Sequence, residues 1–271
     1  MDFIATVTHD LKSPLGAILS AIELIKRDIQ SGKWDEKVIL DDLSTAEHSA
    51  GELLDLVQNM LTAARIQAGE MAVCPRLLSR PEFIEQLKGM ERTFRYEAKA
   101  RMVDFSVEIG ELPIDVHWDI QKIRFFAINN LISNALKFVG RDGTVKVFVE
   151  SDEAGNVRIT VADNGPGIPE AERKSVFLKF VQASNNRRNY NGGGYGLFNA
   201  GRTISLHQGS IEILDGLNGR GVTFKATIPA KPFGPHDPAP AFPGWRTLPA
   251  YAWPVRSQPH ASRQRADQRT D

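Results

Sequence analysis

Two asparagines and a lysine recur at helical spacing in the stretch NNLISNALKF. Asn130, Asn134 and Lys137 stand four and three residues apart, so a helix would present all three on one face. Amide oxygens are hard, neutral ligands that suit Mg²⁺, which keeps several waters and bridges phosphate oxygens. An ammonium group beside them would offset phosphate charge. This face is therefore predicted to bind one phosphorylated ligand.

The stretch DNGPGIP places a carboxylate directly after an apolar strand. Asp163 would lie at the strand end, where it can accept a hydrogen bond from the amino group of an adenine. Gly165 and Gly167 would let the backbone approach the base closely. Taken alone, the same residues are equally typical of a plain turn between a strand and a helix.

A second glycine-rich stretch, GGGYGL, stands at the start of a predicted helix. Gly192, Gly194 and Gly196 lead into the helix that begins near Leu197. Unpaired backbone N–H groups at such a helix start would face the phosphates of a nucleotide.

The segment before this helix, residues 181–193, is polar and long enough to form a mobile cover over a nucleotide. Positive charge near the γ-phosphate would come from Lys179, Arg187 or Arg188. The sequence leaves the choice among these three open, since solvation is the usual state of an arginine on a loop.

Five stretches, in this order, resemble the motif set of sensor histidine kinases. They are HDLKSPL from His9, NNLISNALKF from Asn129, DNGPGIP from Asp163, FLKF from Phe177 and GGGYGL from Gly192. Each is weak alone, but the ordered set at domain-scale spacing is difficult to reach by chance. The resemblance covers residues 1–229 and implies a phosphoacceptor hairpin followed by a Bergerat-type ATP-binding domain. It also implies that ATP and Mg²⁺ bind, with Asn134 as the metal ligand and Asn130 and Lys137 in support.

His9 is the candidate nucleophile. It falls beside the apolar seam of the first predicted helix, so we expect its ring to be partly exposed. An imidazole presents an unprotonated nitrogen to a phosphoryl group at cytosolic pH. Asp10 is the candidate base, and Ser13 stands where a threonine or asparagine of the family positions a water for dephosphorylation. An ordinary solvated histidine is the alternative.

Two apolar series with alternating spacings of four and three predict an antiparallel helical hairpin. One runs through residues 4–29 and the other through residues 39–64, with a polar break between them. Leu40, Leu54 and Leu61 widen the second face beyond what one partner helix covers. We therefore expect a homodimer that closes a four-helix bundle. The alternative is a monomeric hairpin packed on the rest of its own chain.

Shorter alternating patterns follow the hairpin and predict an α+β sandwich, a sheet with helices on one face. Helices are expected at 81–98, 120–138 and 196–207, and strands at 103–108, 144–150, 157–162, 210–214 and 222–228. The chain thus divides into a hairpin over 1–70, an ATP-binding domain over 71–229 and a tail over 230–271. Nine of the fifteen prolines lie from Pro229 onward, which predicts a disordered tail.

The composition excludes few functions, but it limits the kinds of partner and the cellular compartment that we expect. Basic and acidic residues both number 33, so no excess charge indicates a nucleic-acid or membrane partner. The single cysteine, Cys74, cannot form an internal disulfide. No secretory signal and no long apolar run are present, which predicts a soluble, cytoplasmic chain without a membrane segment. Trp245, Tyr251 and Trp253 leave a docking peptide open as the alternative to a tail without function.

The residue at position 130 bears on the reaction. Related ATPases of the gyrase and heat-shock chaperone group carry a glutamate where this chain has Asn130, and use it to activate water. An amide cannot act as a general base, which favours transfer to a protein acceptor over hydrolysis. The resemblance implies a histidine kinase that autophosphorylates His9 and passes the phosphoryl group to an aspartate of a response-regulator receiver domain. The rival is a non-catalytic phosphotransfer or docking scaffold of the same fold.

Overall fold

The computed structural model describes residues 3–32, 35–179, 181, 183–184 and 194–232, with the backbone alone at 3–7 and 9. Two long helices form the N-terminal part: α1, Phe3–Ser31, and α2, Glu36–Ala68. The Asp35 carboxylate accepts a hydrogen bond from the Lys37 N–H at 2.7 Å and so caps the start of α2. Gly69 ends α2 in a left-handed conformation with φ 73°. The helices contact each other along an antiparallel hairpin, as the apolar spacing predicts.

The rest of the described chain is built around a five-stranded sheet. Its strands are β2, Asp104–Ile109, β4, Thr144–Ser151, β5, Asn156–Asp163, β6, Ser210–Asp215, and β7, Val222–Pro229. Their order is β2-β4-β5-β7-β6, and the β2–β4 pair is parallel while the others are antiparallel. Alternate residues of the central strands, such as Val147 and Val161, are buried. One face of the sheet therefore carries the core.

Three helical segments cover that face. They are α3, Arg80–Arg101, a continuous helix made of α4, Ile120–Lys122, a π-helical turn, Ile123–Ile128, and α5, Asn129–Phe138, and finally α6, Gly196–Leu206. Short 3₁₀ turns lie at Glu170–Glu172, Ser175–Phe177 and Leu217–Gly219. The predicted fold class, a helical hairpin followed by an α/β sandwich, is confirmed. Spacing alone does not reveal the π-helical turn.

A two-stranded sheet is absent from the sequence prediction. β1, Arg76–Ser79, pairs antiparallel with β3, Asp115–Trp118. Both strands are four residues long and carry charged side chains, so they lack a readable alternation. Trp118 is fully buried; its ring meets Phe83 edge-on at 5.3 Å, and its indole N–H donates to the Pro229 carbonyl at 2.7 Å. This sheet joins the start of the second part of the chain to its last strand.

No helix within the described ranges is both long and apolar enough to span a membrane. The predicted tail from residue 233 on, and the predicted cover over 181–193 apart from residues 181, 183 and 184, lie outside the described residues. The domain boundaries near residues 70 and 229 stay predictions.

Candidate functional site

A cavity of about 1350 Å³ lies between the hairpin and the sheet region. It is lined from the sheet side by Asn130, Asn134, Lys137, Asp163, Gly167, Gly194, Gly196 and Leu197. This volume exceeds the 300 to 1,000 Å³, roughly, of most small-molecule sites, so it accommodates a nucleotide with room to spare. Eight of the predicted binding residues, from three separate stretches, thus share one wall.

Helix α5 supplies the amide wall of the cavity. The Asn130 side-chain N–H donates to the Phe126 carbonyl in the π-helical turn at 2.9 Å. Its amide oxygen faces Gly196, where an added Cβ would lie 3.0 Å from that oxygen. Any larger residue at position 196 would therefore crowd Asn130. The glycine stretch and the asparagine stretch meet here in direct contact.

The residues of this wall fit a magnesium nucleotide. The Asn129 amide oxygen, one position before Asn130, is buried and has no hydrogen-bond partner within the described residues. A buried acceptor of this kind needs a donor, such as a metal-bound water or a ligand hydroxyl. No cluster of three or more His, Cys, Asp or Glu side chains that could hold a metal occurs in the described part of the chain. A cation here would thus depend on amide oxygens, waters and the phosphates of the nucleotide.

Lys137 lies on the same wall and is mostly withdrawn from water. Burial lowers the pKa of its ammonium, while the carboxylates of Glu52 and Asp10 raise it and Arg101 lowers it. Both carboxylates belong to the hairpin, so the cation faces negative charge from across the cavity. A phosphate chain entering the cavity would meet the same ammonium.

Asp163 ends β5 and is only 3% exposed. Its Oδ1 accepts hydrogen bonds from the N–H groups of Gly165 at 2.8 Å and Val222 at 3.3 Å. Burial raises the pKa of this carboxyl, against the effect of these two bonds. The second carboxylate oxygen takes no part in them and suits the amino group of a base.

Glycines pack around Asp163 because side chains would not fit. Gly221 has φ 82°, and a Cβ there would lie 2.1 Å from the Asp163 carbonyl oxygen. Gly167, with φ 72°, would bring a Cβ within 2.7 Å of the Gly221 carbonyl oxygen. Sequence reasoning found Gly167 but missed Gly221, which lies far along the chain. Gly165 does not line the cavity and acts through its N–H on Asp163.

The hairpin closes the other side of the cavity. Asp10, 8% exposed, lines it together with Ser13 and Pro14 of α1. His9 belongs to α1 directly before Asp10, and its side chain lies outside the described residues. The structure thus brings two of the three predicted hairpin residues to the cavity, opposite the wall that carries Asn134 and Asp163. Their chemical roles stay predictions.

Four other candidate residues either do not line the cavity or lie outside the described residues. Lys179 is not among the residues that line the cavity; its Nζ lies over the Phe198 ring, 5.1 Å from the centroid. Burial, and to a lesser degree Arg202, lowers the pKa of this lysine. Gly192, Arg187 and Arg188 lie outside the described residues.

The residues through which α6 contacts the hairpin were not predicted. Ala63 and Ile66 of α2 form a buried cluster with Tyr195 and Phe198. Next to it, the fully buried Asn199 donates its side-chain N–H to the carbonyl and the amide oxygen of Asn59, at 3.0 and 3.1 Å. The available signal was Tyr195, a large aromatic residue inside a glycine stretch.

Two family models match this chain. Residues 1–69 match the His Kinase A (phospho-acceptor) domain, and residues 121–232 match the histidine kinase-, DNA gyrase B- and HSP90-like ATPase family. The two matched segments correspond to the hairpin and to most of the sheet region, so the cavity lies between them.

Comparison with individual known proteins agrees with the two family matches. The adaptive-response sensory kinase SasA of Synechococcus sp. (strain JA-3-3Ab) is 31% identical over 234 residues, which is 83% of this chain and 58% of SasA. The circadian input-output histidine kinase CikA of Synechococcus elongatus (strain ATCC 33912 / PCC 7942 / FACHB-805) is 32% identical over 250 residues, 89% of this chain and 31% of CikA. The crystal structure of full-length ShkA in complex with AMPPNP superposes with a TM-score of 0.58 at 25% identity, over 84% of this chain and 46% of ShkA. The chain therefore spans about half of these relatives or less, and it belongs to the sensor histidine kinases, with a phosphoacceptor domain and an ATP-binding catalytic domain.

Proposed function

We propose that this chain is an active histidine kinase that transfers the γ-phosphoryl group of ATP to His9. One observation carries the proposal: Asn134, Lys137 and Asp163 of the catalytic region line the same cavity as Asp10, the residue next to His9. A phosphoryl donor held by the first three would therefore lie beside the helix that carries the acceptor. The ShkA complex with AMPPNP supports nucleotide binding at a site of this fold.

Each residue has a distinct role in the proposed reaction. Asp163 accepts a hydrogen bond from the adenine amino group, while Asn130, Asn134 and Lys137 bind the phosphates. Mg²⁺, bound through Asn134 and phosphate oxygens, would neutralise the charge that develops on the transferred group. The remaining contribution of the protein is positioning.

In the transfer step, the γ-phosphoryl group passes from the nucleotide in the catalytic region to His9 of the hairpin. An imidazole nitrogen of His9 forms a bond to the γ-phosphorus as the bond to the β,γ-bridging oxygen breaks, and ADP leaves with that oxygen. Asp10 orients the ring and accepts the proton of its other nitrogen. Ser13, on the next turn of α1 and also on the cavity wall, positions a water for a separate dephosphorylation reaction, in which the water attacks phosphorus and inorganic phosphate leaves.

Two partners complete the proposal. The hairpin exposes large apolar side chains, among them Leu19, Leu54 and Leu61, whose exposed fractions are 55%, 57% and 56%. A second copy would bury them in a four-helix bundle. The phosphoryl group passes from His9 to an aspartate of a response-regulator receiver domain, and we place this reaction in the cytosol, where ATP is available.

Incubation with γ-labelled ATP tests the activity. The wild-type chain should gain an acid-labile, base-stable label, and His9→Ala and Asn134→Ala should not. His117→Ala and Gln121→Ala serve as matched controls, since neither residue lines the cavity, and both should label like the wild type. Label that survives in His9→Ala would refute the assigned acceptor. A folded wild type without Mg²⁺-dependent ATP affinity would favour a docking scaffold.

A further inference from the structure

The wall opposite the nucleotide residues comes from the same chain. Asp10, Ser13 and Pro14 of α1 line the cavity together with Asn134 and Asp163. His9 directly precedes Asp10 in α1, and successive helical residues rise by about 1.5 Å. The backbone of the acceptor residue therefore lies at the edge of a cavity that the same chain lines with its nucleotide residues.

The contact between α6 and α2 lies at the level of His9 along the hairpin. His9 stands as far before the end of α1, Ser31, as Gln58 stands after the start of α2, Glu36. In an antiparallel hairpin such positions lie side by side. Asn59, the next residue, accepts both hydrogen bonds of the Asn199 amide. The catalytic region thus contacts the hairpin of the same chain at the level of His9, the acceptor residue.

The same contact is adjacent in the chain to the cavity wall that carries Asn130 and Asn134. Tyr195 is 5% exposed and packs with Ala63 and Ile66 of α2, while the following residue, Gly196, faces the Asn130 amide oxygen. The residue that docks on the hairpin and the residue that meets the nucleotide wall are adjacent in the chain. A nucleotide bound at Asn134 is consequently oriented relative to α1 of the same chain.

From this geometry we propose that autophosphorylation occurs within one chain: the nucleotide bound by a chain phosphorylates that chain's own His9. The inference rests on the proposed kinase function and specifies its acceptor. The bond to γ-phosphorus forms at the imidazole of the chain that binds the ATP, the bond to the bridging oxygen breaks, and ADP leaves from the same chain. The dimer serves to complete the bundle, and the second chain supplies neither the donor nor the acceptor.

Mixed dimers test this directly. A His9→Ala chain, which binds ATP but has no acceptor, is co-expressed with an Asn134→Ala chain, which has the acceptor but a damaged nucleotide site. Different affinity tags and two purification steps isolate the mixed dimer, and γ-labelled ATP is then added. Transfer within a chain predicts no label on either chain. Label on the Asn134→Ala chain would show transfer between chains and overturn the inference while the kinase function stands.

Controls separate the remaining outcomes. A mixed dimer of the wild type with the His9→Ala, Asn134→Ala double variant should carry half the label of the wild-type dimer, all of it on the wild-type chain. Absence of label in the wild-type dimer itself would refute the kinase function, and the inference with it. If the chains do not associate, the labelling rate per chain should be independent of protein concentration, and a rate that rises in proportion to concentration would contradict the inference.

The Asn59–Asn199 contact provides a second readout. Asn199→Ala should lower the rate of labelling by roughly fivefold, because a buried amide contact that positions the acceptor is lost. The dissociation constant for Mg·ATP should not change, since Asn199 does not line the cavity. Asn59→Ala should give a similar loss of labelling rate, and the double variant no further loss; because Asn59 itself lines the cavity, the affinity readout is taken from Asn199→Ala alone. Equal effects on nucleotide affinity and on rate would assign the pair to general stability and contradict the positioning role.

Discussion

The hairpin and the catalytic region differ in how much of their apolar surface the chain itself covers. Leu40, Leu54 and Leu61 of α2 are each more than half exposed, whereas Val145, Val147 and Val149 of β4 are fully buried. The catalytic region therefore completes its core within one chain. The hairpin requires another apolar surface to cover its outer face. Nucleotide binding should accordingly be a property of the single chain, and bundle formation a property of two.

Truncation of one leucine in each region gives the largest expected contrast. Leu87 of α3 is 1% exposed, and Leu87→Ala should lower the free energy of unfolding by about 2 to 5 kcal/mol, since it leaves a cavity in the core. Leu54 is 57% exposed, and Leu54→Ala should change the unfolding of the single chain by less than about 0.5 kcal/mol. Denaturant titration with a fluorescence readout measures both.

The same leucine pair should reverse its order in an assay of association. Leu54→Ala, and more strongly Leu54→Glu with Leu61→Glu, should raise the dissociation constant of the dimer in sedimentation equilibrium, while Leu87→Ala should leave it unchanged. A Leu54 variant that loses as much unfolding free energy as Leu87→Ala in the monomer would show that the hairpin is covered by its own chain.

The next largest effect separates binding from stability inside the catalytic region. Asp163→Asn should weaken Mg·ATP binding by about 1.5 to 3 kcal/mol, because a charged acceptor for the adenine amino group is lost. Burial raises the pKa of Asp163 above 3.8, so the folded state favours the protonated carboxyl. The stability from this group is present below 3.8 and is lost as pH rises through the raised pKa. The amide of the Asp163→Asn variant is neutral, so burial does not penalise it as it penalises the ionised carboxylate. The free energy of unfolding at neutral pH should therefore increase in this variant.

Asp152→Asn is the matched control, with the opposite sign. Hydrogen bonds from Asn156 and Ala154 outweigh desolvation and lower the pKa of Asp152. Its replacement should reduce stability at neutral pH and leave nucleotide affinity unchanged, because Asp152 does not line the cavity. Calorimetry with Mg·ATP and denaturant unfolding on the same samples give both quantities. Unchanged ATP affinity in Asp163→Asn would remove Asp163 from the proposed site.

Sequence reasoning succeeded where the structural signal is local. The spacing of Asn130, Asn134 and Lys137 fixes their shared helix face, and an apolar strand before Asp163 fixes its place at a strand end. Both follow from short-range periodicity. The helical hairpin and five of the seven strands are predictable for the same reason.

Features that depend on pairing between distant segments could not be read in this way. Gly221 packs on Asp163, and Asn199 bonds to Asn59, across gaps that no local pattern spans. The Lys179 ammonium, one of three candidates for positive charge near the γ-phosphate, lies over the Phe198 ring, a neighbour that the tertiary fold decides and the motif does not show. These contacts join the two regions or complete the site, so the sequence predicts the parts of the site better than their assembly.

The smallest expected effect concerns how the two regions respond to acid. His207 is fully buried in the catalytic region; it donates its Nδ1–H to the Thr203 carbonyl, and its Nε2 accepts the Asp119 N–H at 3.2 Å. Burial lowers its pKa below 6.5, with Lys122 acting in the same direction and Asp119 opposing it. The folded state thus holds fewer protons than the unfolded state, and the stability from neutral His207 is present above pH 6.5 and is lost as pH falls through the lowered pKa.

Unfolding free energy should therefore decline below pH 6.5 with a contribution of at most about 1.4 kcal/mol per pH unit from this residue. His207→Gln should reduce that slope, whatever its effect on stability at neutral pH. His48→Gln on the hairpin is the control, because its side chain is 67% exposed and lies outside the catalytic region. The pKa of Asp119 is lowered from 3.8, so this carboxylate stays ionised between pH 6.5 and 5. Carboxyl groups with raised pKa values, such as Asp163, are present in both proteins, so the difference in slope between the wild type and His207→Gln isolates the histidine. An unchanged slope in His207→Gln would place the acid sensitivity elsewhere in the chain.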